Sequence, residues 1–319
     1  MSMAASRMKG LRNWRQYTDH AVRVLVIINP FSGASRRLPV PARIALATRM
    51  LREAGHEPDV RVTTGPDDAT RWAQEAVEAG IDRVVAWGGD GTVNAVAAAL
   101  IGARTSLAII RAGSGNGLAR ELGIPREAEP AMRTAAGPAT RVIDAARLNG
   151  RWFVNVAGVG FDAEVAHGIA RPGARRGLLG YLWLMARLTP GYRPRAYTVS
   201  VDGEVLETRA WVVALANARQ YGHEAIVAPQ ARLDDGVLDV VVVEPPPLWQ
   251  LIRDLPRLFS GRLRPGPYLH MRQGRAVRIT CAEQRPMTAH VDGEPMFASD
   301  GIDADITPGA LRVCVPAGR

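Results

Sequence analysis

Between Val22 and Gly113, apolar runs and helix-spaced segments alternate, and each apolar run ends in a short loop of small, polar residues. This rhythm constrains the fold more than any other feature. "VRVLVIINP" (22–30) is a continuous apolar run ending in Asn-Pro, the pattern of a strand buried on both faces. "PARIALATRMLREAG" (41–55) has helical spacing and stops at a glycine, and "DVRVTT" (59–64) is a second short strand. "DDATRWAQEAVEAG" (67–80) carries an acidic start and a glycine stop, the two boundary signals of a helix. "DRVVAWGG" (82–89), "NAVAAALIG" (94–102) and "SLAIIRAG" (106–113) continue the alternation. The rhythm predicts a Rossmann-like parallel sheet with helices on both faces over residues 22–141, preceded by a basic extension at 1–21.

From about residue 142 the pattern changes to short alternating runs such as "AYTVSVDGE", "AWVVALANA", "VLDVVVVE" and "ALRVCVP". Residues 142–319 therefore read as a mainly β domain, a sandwich or barrel-like sheet, with helical insertions near 174–188 and 247–260. "VDGE" at 201–204 reads as a hairpin turn, and the same four residues recur at 291–294.

In an open α/β sheet, the carboxyl ends of the strands line one crevice where ligands bind. Four loops of the first half fall there: Asn29-Pro30-Phe31-Ser32-Gly33, Thr63, Gly88 to Asn94, and Gly113-Ser114-Gly115-Asn116-Gly117. One such loop is merely a turn; four on one edge predict a binding crevice. Glycines followed by a helix start suit a phosphate. The lysine-bearing phosphate loop is absent, since Lys9 is the only lysine, and the first strand does not lead into G-x-G-x-x-G. Backbone amides and the hydroxyls of Ser32, Thr92 and Ser114 would have to grip the phosphates instead. Asp90 among those amides would repel a bare anion, so it either holds Mg²⁺ against the phosphates or orients the loop.

The net charge of +9 favours an anionic partner, a nucleotide or an anionic lipid surface; nucleic acid would account for the charge but for none of the loops. Cys281 and Cys314 lack metal-ligand spacing and sit in strand-like runs, so free thiols in a reducing compartment are expected. No run approaches bilayer-spanning length and no signal-peptide layout is present. A cytoplasmic protein, peripheral at the inner face of the membrane, is the expectation. Two segments, "RPGARRGLLGYLWLMARLTPGYRPR" (171–195) and "LWQLIRDLPRLFSGRLRPG" (248–266), mix arginines with an apolar face. Each suits either a helix lying on anionic lipid or a helix packed on the β domain.

"NPFSG", "GGDGTVNAV" and "AGSGNGLARELGIP", in that order, resemble the diacylglycerol kinase catalytic domain shared by bacterial lipid kinases and sphingosine kinases. "NVAGVGFDAEV" (155–165), "ANARQYGHEAIVAPQARLDDGVLDVVVVE" (216–244) and "HVDGEP" (290–295) are similar to the same family, so the likeness covers about residues 22–316. The resemblance implies ATP-dependent phosphorylation of a lipid hydroxyl. By it, Asn29, Pro30, Ser32, Gly33, Thr63, Gly88, Gly89, Asp90, Gly91, Thr92, Val93, Asn94, Gly113, Ser114, Gly115 and Asn116 would hold the nucleotide. Glu294 would take the proton from the lipid hydroxyl, with Asp292 close by and Asp90 completing the catalytic carboxylates. "RLDDGV" matches the family's magnesium loop, with Asp235 binding by its side chain and Arg232 and Val237 by backbone oxygens; the bare reading of "LDDG" as a turn stays open beside it. His290, next to the proposed base, is the one histidine that stands out. Many bacterial members carry an acidic residue where this chain has Gly117, and this leaves the acceptor open among diacylglycerol, a sphingoid base and other lipids. NAD kinase, which shares a GGDGT loop, and a non-catalytic lipid- or nucleotide-binding regulator remain alternatives, and a homodimer is compatible with the sequence.

Overall fold

The computed structural model describes residues 22–32, 38–171, 178–221, 225–283 and 286–318. The chain divides into two compact units. The first comprises Met1–Gly113, Leu122–Val142 and Leu311–Arg319; the second comprises Ser114–Glu121 and Ile143–Ala310. The sequence places a single boundary at 141/142. The structure differs in that the Gly-Ser-Gly-Asn stretch and the helix after it group with the second unit, while the end of the last strand returns to the first.

The first unit is built from β1 (Arg23–Ile28), α1 (Val40–Glu53), β2 (Glu57–Val62), α2 (Asp68–Glu78), β3 (Arg83–Gly88), α3 (Asp90–Leu100) and β4 (Ser106–Arg111). The four strands pair in parallel in the order β2-β1-β3-β4. β1 and β3 are buried along nearly their whole length, which accounts for their unbroken apolar runs. β1 to β2 runs in one direction across the sheet, and β2 to β3 passes back over β1. With right-handed crossovers, α1 therefore covers one face and α2 and α3 the other. The order thus switches between β1 and β3, and a crevice opens at their carboxyl ends.

The second unit opens with α4 (Gly117–Glu121). The chain returns to the first unit for α5 (Ala128–Ala136), then continues through β5 (Thr140–Leu148), β6 (Arg151–Phe153), β7 (Val156–Gly160), α6 (Phe161–Ala170) and α7 (Leu178–Leu188). β8 (Arg195–Val201), β9 (Glu204–Ala210), β10 (Val212–Ala216), β11 (Leu238–Val243) and α8 (Leu248–Ser260) follow. β12 (Leu269–Gly274), β13 (Ala276–Cys281), β14 (Met287–Val291), β15 (Glu294–Ala298) and β16 (Ile302–Cys314) complete the chain. β12-β11-β10-β7-β14-β15 form one antiparallel sheet, and β16, β13, β8 and β9 pair antiparallel in another. Alternate residues of the two sheets, Val199 and Val201, Val277 and Ile279 against Val213 and Leu215, Val240 and Val242, make one buried cluster. This is the period-two signature of a sandwich. The outer face of the first sheet is covered by Val227, Ala228 and Ala231.

Two expectations need correcting. The apolar run "RWFVNVAGVGF" (151–161) reads as strand through Phe161, yet α6 starts at that residue. Gly160 turns the chain with a φ of 103°, and Asp162 in the first turn complements the helix N-terminus. Likewise α3 begins at Asp90 and not at Asn94. Gly88 ends β3 and extended Gly89 is the N-cap, so only Asp90 and Gly91 of the glycine stretch lie in the first helical turn and no separate loop intervenes. Both cysteines are free.

Candidate functional site

In the first unit, the loops after β1 and β3 are stitched together at the switch point. The Asn29 side chain donates from Nδ2 to Thr92 Oγ1 at 2.9 Å, and its Oδ1 accepts the Phe31 N–H at 2.9 Å. Ser32 Oγ accepts the Gly89 N–H at 3.2 Å. Gly88 is small for a packing reason, because an added Cβ would overlap the Thr92 side chain. These contacts fix the N-terminus of α3, where the first-turn amides of an 11-residue helix point outward and its dipole favours an anion. Asp90 sits in that first turn. Asn94, one turn further on, is buried, and its Oδ1 has no hydrogen-bond partner among the described residues.

The loop after β2 is held separately. Thr63 is buried and donates its N–H to Ile28 O at 2.9 Å. The Asp68 carboxylate accepts the N–H groups of Thr64 and Gly65 and the guanidinium of Arg71, and these bonds hold its pKa well below the usual carboxylate range. Gly113 approaches the same end of the sheet, its Cα 3.3 Å from where a Cβ on Gly89 would lie. Asn29, Pro30, Ser32, Thr63, Gly88 to Asn94 and Gly113 thus belong to one unit, at the carboxyl ends of its parallel strands. Gly33 lies outside the described residues. Ser114, Gly115 and Asn116 belong to the second unit. There Asn116 is buried in the left-handed region (φ 52°), and its carbonyl accepts the Arg120 N–H at 3.0 Å.

The second unit carries two of the three carboxylates assigned to catalysis, Asp292 and Glu294, while Asp90 lies in the first. Asp292 and Gly293, with φ of 49° and 83°, form the two-residue turn between β14 and β15. The Asp292 carboxylate accepts three backbone N–H groups, from Val154, Asn155 and Val156, each at 3.0 Å. Its own N–H reaches Val156 O at 3.0 Å. Asp292 therefore latches the hairpin to the β6–β7 connection. The twin turn at 202–203 uses the same device, with Asp202 accepting the N–H groups of Arg275 and Ala276. The turn motif alone thus has a structural explanation, and a glutamate follows both turns, Glu204 pairing with Arg272 as Glu294 pairs with Arg151.

Glu294, the first residue of β15, is exposed, and its Oε2 meets Arg151 Nη2 at 3.1 Å. Its Oε1 carries no hydrogen bond among the described residues. Beneath the turn, His290 is buried and its Nε2 lies 3.1 Å from Asp162 Oδ2. The same oxygen accepts the Tyr221 hydroxyl at 2.8 Å. His290 Nδ1 is 3.4 Å from the Gly293 N–H, so the proton sits on Nε2, facing Asp162. This chain of groups supports the turn from within. Of its members the sequence singles out only His290; Asp162 and Tyr221 each stand in a quoted motif, but nothing in the sequence pairs them across 59 residues.

Gly117 also has a local reason. A Cβ there would overlap the Asn155 side-chain amide and lie 3.2 Å from Tyr221 O. Asn155 Nδ2 is itself anchored to Gln220 O at 2.8 Å. Gly117→Ala should therefore cost about 1–3 kcal/mol. Combining it with Asn155→Gly should cost less than the sum of the two single losses, as read from denaturant midpoints; strict additivity would show that the two positions do not compete for space.

The "RLDDGV" loop is closed from within by Asp144, a buried carboxylate accepting the N–H groups of Gly236 and Gly309, each at 2.7 Å. Asp235 Oδ1 accepts the Val237 N–H at 3.3 Å, as the turn reading expects. Just beyond, Asp239 is buried with Oδ2 unpartnered among the described residues. Burial pushes its pKa up to about 6, with the Gln273 hydrogen bond opposing and the Asp235 charge adding to the rise. Among the described residues no group of three or more His, Cys, Asp or Glu side chains is gathered to hold a metal. A loop that binds mainly through backbone oxygens needs none, and the unpartnered carboxylate oxygen suits a cation beside Asp235.

Residues 23–148 match the model of the diacylglycerol kinase catalytic domain, and residues 155–315 match the YegS C-terminal NAD kinase beta sandwich-like domain. The chain is 33% identical over 314 residues to the "Probable lipid kinase YegS-like" of Chromohalobacter salexigens, covering 95% of this chain and 96% of the relative. It is 29% identical over 276 residues to the diacylglycerol kinase of Bacillus subtilis, covering 85% and 89%. A crystal structure of a diacylglycerol kinase from Bacillus anthracis shares the fold with a TM-score of 0.73 at 20% identity, over 94% of this chain and 99% of that one. With one domain model matched in each half and a relative aligned along almost its whole length, the chain belongs to the lipid kinase family built on the diacylglycerol kinase catalytic domain.

Proposed function

We propose that this protein transfers the γ-phosphoryl group of ATP, with Mg²⁺, to a hydroxyl of a lipid such as diacylglycerol. The observation that carries the reading is the stitched switch point, where Asn29–Thr92 and Ser32–Gly89 contacts fix the amides at the start of α3. The amides suit a polyphosphate, and the unpartnered Oδ1 of buried Asn94, an acceptor, fits a hydroxyl or amino donor of the nucleotide or its metal ion. Asn29, Pro30, Ser32, Gly33, Thr63, Gly88 to Asn94 and Gly113 to Asn116 would hold the nucleotide, with Asp90 toward its metal. Bound Mg-ATP supplies the phosphoryl group and a cation that neutralises the charge developing on the phosphate oxygens. Glu294 accepts the hydroxyl proton at Oε1, while Arg151 holds the other oxygen. Asp292 positions Glu294 by fixing the turn and does not itself exchange the proton. NAD kinase activity is the competing reading, since the second half matches an NAD kinase beta sandwich-like model. Incubation with γ-labelled ATP and Mg²⁺ separates them: label extracted with diacylglycerol or a sphingoid base supports the proposal, and label on NAD overturns it.

A second cation belongs on the Arg232–Val237 loop, through Asp235 and the backbone oxygens of Arg232 and Val237. Mg²⁺ at about a hundredfold excess over its Kd should stabilise the wild type by about 2–3 kcal/mol. The melting temperature of Asp235→Ala should not respond. An equal response in both proteins would leave the loop as a turn only.

A further inference from the structure

Among the described residues no helix is long and apolar enough to cross a membrane, yet α8 turns its apolar side outward. It starts after Pro247 and ends at Gly261 in the left-handed region, φ 66°. Within it only Gln250 is buried. Leu248, Trp249, Ile252 and Leu255 are exposed to 71, 62, 63 and 43%. At 100° per residue, Leu248, Ile252 and Leu255 form one stripe, with Trp249 beside it. The helix is tied down elsewhere, by the Ile226 N–H donating to Leu258 O at 2.9 Å. Arg253 stacks over the Trp249 ring at 5.4 Å, at the border of the stripe. Next to it lies a concavity of about 530 Å³ lined by Arg253, Pro256, Arg257, Ser260, Arg262 and Arg264. Asp254 is the only acidic residue between 248 and 266, against these four arginines.

We infer that α8 docks the protein on an anionic membrane surface, with Leu248, Trp249, Ile252 and Leu255 seated below the headgroups and the arginine concavity on their phosphates. The inference deepens the lipid-kinase reading and rests on it for its purpose. An apolar stripe bordered by tryptophan and arginine is the composition of a helix lying in the interface plane. Charge complementarity selects the occupant. A second copy docked by this face would bring two arginine clusters together, whereas anionic lipid attracts each arginine near its surface.

The test is flotation of the full chain, without ATP, on vesicles of phosphatidylcholine with and without phosphatidylglycerol. The wild type should float with the anionic vesicles and weakly with phosphatidylcholine alone. Trp249→Glu with Ile252→Glu should lower partitioning by about a hundredfold. Arg262→Glu with Arg264→Glu should lower it by about tenfold or more, as should high salt. All four side chains are exposed, so melting temperatures should match the wild type. The Trp249/Ile252 variant should still phosphorylate a detergent-dispersed acceptor. A wild type that does not float, a Trp249/Ile252 variant that floats equally well, or a wild-type dimer that this variant dissociates would each overturn the docking inference. Flotation without any lipid phosphorylation would leave docking standing and overturn the kinase reading instead.

Discussion

Glu294→Gln should retain the fold and ATP binding while lowering phosphoryl transfer by a factor of about 10²–10⁴, the usual contribution of a positioned general base. The amide keeps the shape and a contact to Arg151 but cannot accept the hydroxyl proton. Stability should barely change, because both partners of the Arg151–Glu294 pair are about half exposed and such pairs are worth at most about 1 kcal/mol. Arg151→Gln separates orientation from chemistry and should lower kcat less than Glu294→Gln does. Single-turnover transfer from labelled ATP measures both. Wild-type transfer in Glu294→Gln would remove the base assignment.

Asp292→Ala is expected to fail for a different reason. It strips the acceptor from three backbone N–H groups at Val154, Asn155 and Val156. Hydrogen bonds to a charged group are individually valuable, and the donors left behind are partly buried, so the loss should be about 2–4 kcal/mol. Transfer should collapse with it, since Glu294 follows the loosened turn. The twin hairpin supplies the control: Asp202→Ala removes a comparable latch from Arg275 and Ala276 and should leave kcat near wild type. Chemical denaturation and transfer assays on the two variants distinguish these outcomes. Normal turnover in Asp292→Ala would show that the latch does not position the base.

The parallel sheet was legible because β1 and β3 are buried on both faces and their apolar runs leave little choice of structure. The loops at strand ends were legible for the same reason, since parallel strands place all such ends on one edge. The start of α3 was misplaced by a turn, because glycines at 88, 89 and 91 read as loop residues while Asp90 and the helix dipole favour a helix start. α6 is not read from the pattern because Phe161 prolongs the apolar strand run into the helix, although Asp162 and Glu164 mark its first turn. The Asp-Gly turns at 202–203 and 292–293 could be read from the dipeptide, but neither latch could. The donors to Asp292 lie 136 to 138 residues away, and Asp162 lies 128 from His290. Such contacts arise only once the sheets pair. Asn155 beside Gly117 is of the same kind. The outward face of α8 was undecided in sequence because helical spacing gives a stripe but not the side on which the rest of the unit packs.

The most direct measurement is mass spectrometry of a mixed lipid extract after incubation with the wild-type protein, ATP and Mg²⁺. The account predicts that a hydroxyl-bearing lipid gains one phosphoryl group as ATP is consumed, with no such gain when ATP is left out. An unchanged extract together with phosphorylated NAD, or with ATP bound and never consumed, would contradict it.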